Sequence, residues 1–245
     1  MPWSNVWGLG CTNLCEEKNT KPVQTRIFCP LKNLILGFIL LFGALEAVHG
    51  QAPDPPIPVE MLVGHERLYF QLVVKKQFSP ASRLGFFTVA TYTASYRNEQ
   101  SDNSITIPVQ VSYALGKGFG VMTGTDINSV AGFAPVVGPQ YNFASRQFLA
   151  VTVASFFLNE DSDFKIFGLY EYKPPLGAGW ALYNRLQFIY NVSLSDGTHN
   201  RSYLYLRSGL KRGSFIFGLG ANLDQYGPKR KFKDNYGLFV RWEFK

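Results

Sequence analysis

Cysteine is nearly missing from this sequence. Cys11, Cys15 and Cys29 are the three present, and all lie in the first 30 residues. The Cys11 and Cys15 spacing is half of a metal-binding pattern with no second pair, so neither a metal site nor a disulfide framework is expected. No cysteine stands near residue 50 to carry a lipid anchor. Histidine is as scarce, with only His65 and His199 beyond that point. Charged residues make up 17% of the chain, a low share for a soluble protein. The apolar run over residues 34–45 is about half of the roughly 20 residues a membrane-spanning helix needs. The net charge of +7 comes without a helical basic stripe or an RNP, zinc or helix-turn-helix pattern, which argues against a nucleic-acid partner.

What is abundant is aromatic side chains, at 16%. Lys32, the apolar run and the small residue Gly50 before Gln51 together read as a secretory signal peptide cleaved after Gly50. Leu31 suits an alternative start, since it would open the peptide conventionally beside its positive charge. The expected organisation is an N-terminal extension and signal peptide (1–50), a Pro-rich linker with a periplasmic or plug segment (51–82), and one domain over 83–245. Four prolines in residues 51–58 oppose both sheet and helix. Within 59–78, the apolar run 68–74 is open to three readings: an extra strand, a short helix or a plug.

From residue 83 onward, segments of alternating apolar and polar character are separated by turn chemistry. Strands are expected at 83–96, 105–115, 119–126, 133–143, 147–158, 164–173, 180–194, 202–211, 214–224 and 236–244. That makes ten, with eight and twelve as the neighbouring even counts. Most are near the roughly 9 to 11 residues of a tilted membrane strand. If residues 68–74 pair as well, a partner must be found for them and the count becomes twelve. Pro108, Pro135 and Pro139 sit inside strands. Glycines 116, 118 and 120, and 218 and 220, precede no helix, so they read as tight turns and small inward positions rather than phosphate loops.

The closing stretch is the most informative. Tyr236, Leu238, Val240, Trp242 and Phe244 fall on one face of a strand, while Gly237, Phe239, Arg241 and Glu243 fall on the other. This stretch resembles the closing strand of bacterial outer-membrane β-barrels, which ends on an aromatic residue, although here Lys245 follows Phe244. The resemblance is to the small porin-like barrels in general and covers about residues 83–245. It implies a closed antiparallel up-and-down transmembrane barrel with short periplasmic turns and longer external loops. It also implies an outer-membrane location and contact with outer-membrane lipid, lipopolysaccharide and the barrel-assembly machinery. An even strand count returns both ends to the periplasm. A soluble lipocalin-like barrel is the alternative architecture. Tyr92, Tyr96, Tyr113, Phe119, Tyr141, Phe156, Tyr170, Tyr172, Trp180, Tyr190 and Trp242 lie toward strand ends, as interfacial girdles do.

Placing apolar residues outward sends Lys165, Glu171, Arg185, Arg207, Arg241 and Glu243 into the lumen, since an arginine on the lipid face would cost roughly 2–4 kcal/mol at mid-depth. Two readings stand for these residues. They form a paired network filling the barrel, or their cationic surplus lines a narrow pore that prefers anions. A different class of function is adhesion or ligand binding through external loops, chiefly residues 225–235 with Lys229, Arg230, Lys231 and Lys233, which suit anionic sugars or lipopolysaccharide phosphates. Catalysis would need rim groups such as Asp126, Asp224, Asp196 and His199 brought together. No enzyme activity, cofactor or metal is expected.

Overall fold

The computed structural model describes residues 55–244 apart from 80, 98–102, 130 and 161. The signal peptide, the alternative start at Leu31, the cysteines and residues 51–54 of the Pro-rich stretch lie outside the described residues.

The described chain is built from strands joined in sequence. These are β1 (Ile57–Gly64), β2 (Arg67–Gln77), β3 (Leu84–Ser95), β4 (Ser104–Gly116), β5 (Phe119–Asn128), β6 (Gly132–Ala144) and β7 (Phe148–Phe157). They continue with β8 (Asp163–Tyr172), β9 (Pro175–Gly177), β10 (Trp180–Ser193), β11 (His199–Arg212), β12 (Phe215–Tyr226) and β13 (Lys231–Phe244). Every pairing is antiparallel. Twelve strands form a ring, because β10 joins β8 to β11 and β13 pairs back onto β1 from Ile57↔Phe244 to Gly64↔Gly237. The three-residue β9 lies against the start of β10, beyond the end of β8. The architecture is therefore a closed antiparallel barrel with no free sheet edge around its ring.

The expected count of ten is corrected to twelve. All ten expected strands are present, with ends shifted by a few residues, and the added pair is β1 and β2. These occupy the region expected to hold a Pro-rich linker and a segment open to an extra strand, a short helix or a plug, and the extra strand is the reading that holds for residues 68–74. Prolines hid β1: Pro58 lacks a donor but stands at its second position, where the strand is only beginning. After it the alternation is regular, with Glu60 and Leu62 buried and Met61 and Val63 exposed. This strand is the partner that residues 68–74 require, through Val59↔Leu72 to Val63↔Leu68. The other prolines also act as physics demands. The β3–β4 ladder lapses around Pro108 and the β6–β7 ladder around Pro139, because a proline has no N–H to donate.

The two faces differ as the alternation requires. Outward residues include Val109, Val111, Val121, Leu206, Leu219, Leu238 and Val240, all exposed. At the end of the barrel that carries Ile57 and Phe244, aromatic rings touch one another around the wall. Phe119 meets Tyr141 at 4.9 Å between centroids, Phe215 meets Trp242 at 4.5 Å, and Trp242 meets Phe244 at 5.3 Å. The interior is divided. The β3–β8 side holds an apolar cluster that includes Phe87, Met122, Val136, Val153, Phe167 and Leu169. The β10–β2 side is lined by buried charged and polar groups.

The first strand pair tests this description directly. A chain lacking residues 51–66 should give no heat-modifiable band on a gel after refolding, because β13 and β2 lose their shared neighbour. Retention of a urea-resistant, heat-modifiable barrel would return residues 57–64 to the role of a linker.

Candidate functional site

The site begins with a row of register partners. Glu171 on β8 stands opposite Arg185 on β10, which stands opposite Arg207 on β11. Arg207 is then opposite Gly220, Gly220 opposite Gly237, and Gly237 opposite Gly64. The row therefore places two arginines side by side and faces them with glycines. Directly opposed like charges destabilise a sheet unless a counter-charge reaches both. Here Glu60 does so from β1: its Oε1 accepts from Arg185 Nη2 at 2.7 Å and from Arg207 Nε at 2.8 Å. The glycines make room for this, since a Cβ on Gly220 would press on Leu62 and Arg207.

Charges continue above and below this central tier. Toward the end that carries Ile57 and Phe244, Arg241 Nη1 donates to Glu171 Oε1 at 2.5 Å and to the Tyr183 hydroxyl at 2.7 Å. Lys173 donates to Glu171 Oε2 at 3.0 Å, and Glu243 is held by Arg241 and Lys211. Toward the opposite end, Asp224 binds Arg67 at 3.4 Å, Arg201 at 3.1 Å and the Tyr205 hydroxyl at 2.9 Å. Aromatic rings pack between the tiers. The Arg207 guanidinium lies 5.6 Å from the Tyr69 ring centre and 5.8 Å from that of Phe239, and Arg241 lies 5.3 Å from that of Tyr183.

These contacts span the lumen. Gln71 on β2 donates to Gln187 on β10 at 2.9 Å, although five steps around the ring separate the two strands. Lys75 on β2 reaches Asn142 on β6 at 3.1 Å, and Phe87 on β3 packs on Phe167 of β8. An eight-stranded barrel is just filled by its own side chains, and additional strands widen the interior. This ring of twelve is instead bridged from wall to wall. Its filling is incompletely bonded: Glu60 Oε2, Arg185 Nε and Nη1, and Arg207 Nη2 are buried without a hydrogen-bonding partner among the described residues. Such a partly satisfied network costs free energy relative to a complete one.

The structure brings Glu171, Arg185, Arg207, Arg241 and Glu243 together. Lys165 stands apart, bonded to Asp126 toward the other end of the lumen. Glu60, Lys173, Lys211 and Tyr183 belong to the cluster and are additional to the sequence-derived set. The signal for Glu60 was its place in the alternation of β1. The basic loop is corrected to a hairpin: β12 and β13 leave only residues 227–230 as a turn, so Lys231 and Lys233 belong to β13. Lys233 lies 6.0 Å from the Tyr226 ring centre, while Lys229 and Arg230 remain exposed on the turn. The rim groups considered for catalysis are engaged elsewhere. His199 Nδ1 donates to the Gly227 carbonyl at 2.8 Å, and its Nε2 shares a hydrogen bond with the Ser202 hydroxyl at 3.0 Å. Hydrogen bonds from the Thr198 hydroxyl and N–H hold the pKa of the exposed Asp196 down, at about 2.

No family model matches the chain, and no curated protein matches it. Solved structures with similar folds include several porins. The KdgM porin is 12% identical, with 77% of this chain and 99% of that one covered and a TM-score of 0.44. The NanC porin is 10% identical, with the same coverage and a TM-score of 0.46. A BenF-like porin from Pseudomonas fluorescens Pf-5 is 13% identical, with 76% and 71% covered and a TM-score of 0.37. Closure of the present barrel rests on its own β1–β13 register rather than on these likenesses.

Glu60 is the residue whose loss should cost most. Replacing it with alanine strands two buried guanidinium groups, and removing one partner of a buried pair typically costs about 3–5 kcal/mol. Glu60→Gln keeps an acceptor oxygen in place and should lose less. Urea-unfolding midpoints of the refolded barrels measure both, and equal midpoints for wild type and Glu60→Ala would show that the bridge is not structural.

Proposed function

We propose that the chain is an outer-membrane β-barrel of the bacterial envelope, held shut by its own ionic network, which acts as a narrow anion-preferring pore when that network parts. The observation that carries this reading is the wall-to-wall contact: Gln71 with Gln187, and Glu60 with Arg185 and Arg207. The membrane part of the proposal follows from the faces. Exposed Val, Leu and aromatic side chains cover the outside, and the buried charges are inside, the distribution a lipid solvent imposes on a closed barrel. In water the same outer face would be an extensive apolar patch.

Preference for anions follows from the charge count. Among the described residues of these two tiers, Arg185, Arg207, Arg241, Lys173 and Lys211 face Glu60, Glu171 and Glu243, five cations to three carboxylates. Rings of like charge set selectivity in a pore. The unbonded guanidinium atoms of Arg185 and Arg207 make the filling less costly to rearrange than a fully bonded core. Export through the signal peptide, insertion by the assembly machinery using the strand that ends on Trp242 and Phe244, and contact of Lys229 and Arg230 with lipopolysaccharide phosphates complete the reading.

Planar-bilayer recording tests it. The wild-type barrel should insert and stay almost silent. Shortening the bridge with Gln71→Ser and Gln187→Ser together should produce discrete openings, with a reversal potential in a salt gradient that leans toward anions. Arg207→Glu added to that pair should weaken the preference. A bridge variant that folds and inserts yet stays closed would favour a purely structural barrel over a pore.

A further inference from the structure

The outer wall between β7 and β13 is concave, with a groove of about 880 Å³. It is lined mainly by outward-facing residues, among them Leu186, Leu206, Leu219 and Leu238, the last two 68% and 65% exposed. The glycine pairs explain how the wall bends there. Gly209 faces Gly218 and Gly220 faces Gly237, and a Cβ on Gly209, Gly218 or Gly237 would strike neighbouring main chain. The bend that brings Arg185 and Arg207 across to Glu60 therefore leaves a depression on the other side of the same strands.

Among the outward-facing lining residues, two uncharged polar side chains besides the tyrosines interrupt the leucines, while Glu171, Arg185 and Arg207 lie behind them on the inward face. Asn184 and Ser208 are cross-strand neighbours on the outer face, and Ser208 Oγ donates to Asn184 Oδ1 at 3.0 Å. With the Asn184 oxygen accepting from serine, its amide N–H groups remain to serve an acceptor in the groove. The register gives their level. The row runs Phe148, Tyr172, Asn184, Ser208, Leu219, Leu238, starting at the aromatic end of β7 and β8 that lies on the same side as Ile57 and Phe244. Rows perpendicular to tilted strands climb along the barrel axis. The groove thus starts at an aromatic rim, passes a hydrogen-bond donor and ends among leucines, an order that matches a headgroup, an ester and an acyl chain.

We infer that this groove binds one phospholipid of the periplasmic leaflet, with Asn184 donating to an ester carbonyl and an acyl chain lying on Leu206, Leu219 and Leu238. The inference rests on the outer-membrane reading above, since only there does the groove open into lipid, where its polar floor must find partners.

The full-length protein, inserted into vesicles of phosphatidylethanolamine and phosphatidylglycerol and extracted in mild detergent, should appear in native mass spectrometry as a single barrel retaining one phospholipid. Asn184→Leu with Ser208→Leu should keep heat-modifiable mobility and vesicle insertion, because leucine suits this face, yet lose the retained lipid several-fold. A Val121→Leu control on the opposite part of the outer wall should retain it. Lipid kept equally by the double variant, a barrel that inserts without any retained lipid, or a two-barrel mass with the groove covered by a second copy would each overturn the site. Failure of the wild type to insert would overturn the membrane reading itself.

Discussion

Two guanidinium groups on neighbouring strands share one carboxylate from a strand that pairs with neither of theirs. Arg185 and Arg207 are register partners, and in a closed interior neither can turn to bulk water. Glu60, 1% exposed, accepts from both. Everything nearby conforms to that need. Gly220 stands where a side chain would press on Arg207, Asn222 accepts a further Arg207 hydrogen bond at 2.8 Å, and Tyr69 and Phe239 present ring faces to the same guanidinium. The result is specific in geometry rather than strongly stabilising, since buried ion pairs recover little more than their desolvation cost.

The same requirement shapes the wall. A twelve-stranded ring would enclose more space than its side chains fill if it were round. Here β10–β13 approach β1 and β2 closely enough for side chains to meet, and paired glycines on β11–β13 allow it. Closing the lumen and indenting the lipid-facing surface are thus two sides of one deformation. The β3–β8 half relies more on apolar volume, with Phe87, Val153 and Phe167 packed together, and it holds the buried Lys165–Asp126 pair.

Much of this was legible from period-two alternation. Outward Tyr236, Leu238, Val240, Trp242 and Phe244 and inward Arg241 and Glu243 follow from one short stretch, and the same parity placed Glu171, Arg185 and Arg207 inside. What stayed hidden has physical causes. Prolines around residue 58 carry a local signal against strands, while pairing with β13 across the whole chain overrides it, so the short alternation that turns Glu60 inward is masked. In the sequence, residues 225–235 read as a long loop because Lys229, Arg230, Lys231 and Lys233 look solvated, although β12 and β13 pair through Tyr226↔Lys231. Alternation reports which face a residue occupies. It does not report which strand lies across the lumen, so the Gln71–Gln187 contact had no local signature.

The seam between β1 and β13 carries one more implication. Glu60 reaches its arginines over sequence separations of 125 and 147 residues, and it arrives on the strand that completes the ring. In any partly assembled sheet that lacks β1, Arg185 and Arg207 have lost their shared counter-ion and must stay hydrated, so the interior cannot dry out early. Sealing the perimeter and neutralising the interior become a single event. The first strand of the barrel serves as its latch, and an open sheet is kept wet until that latch engages.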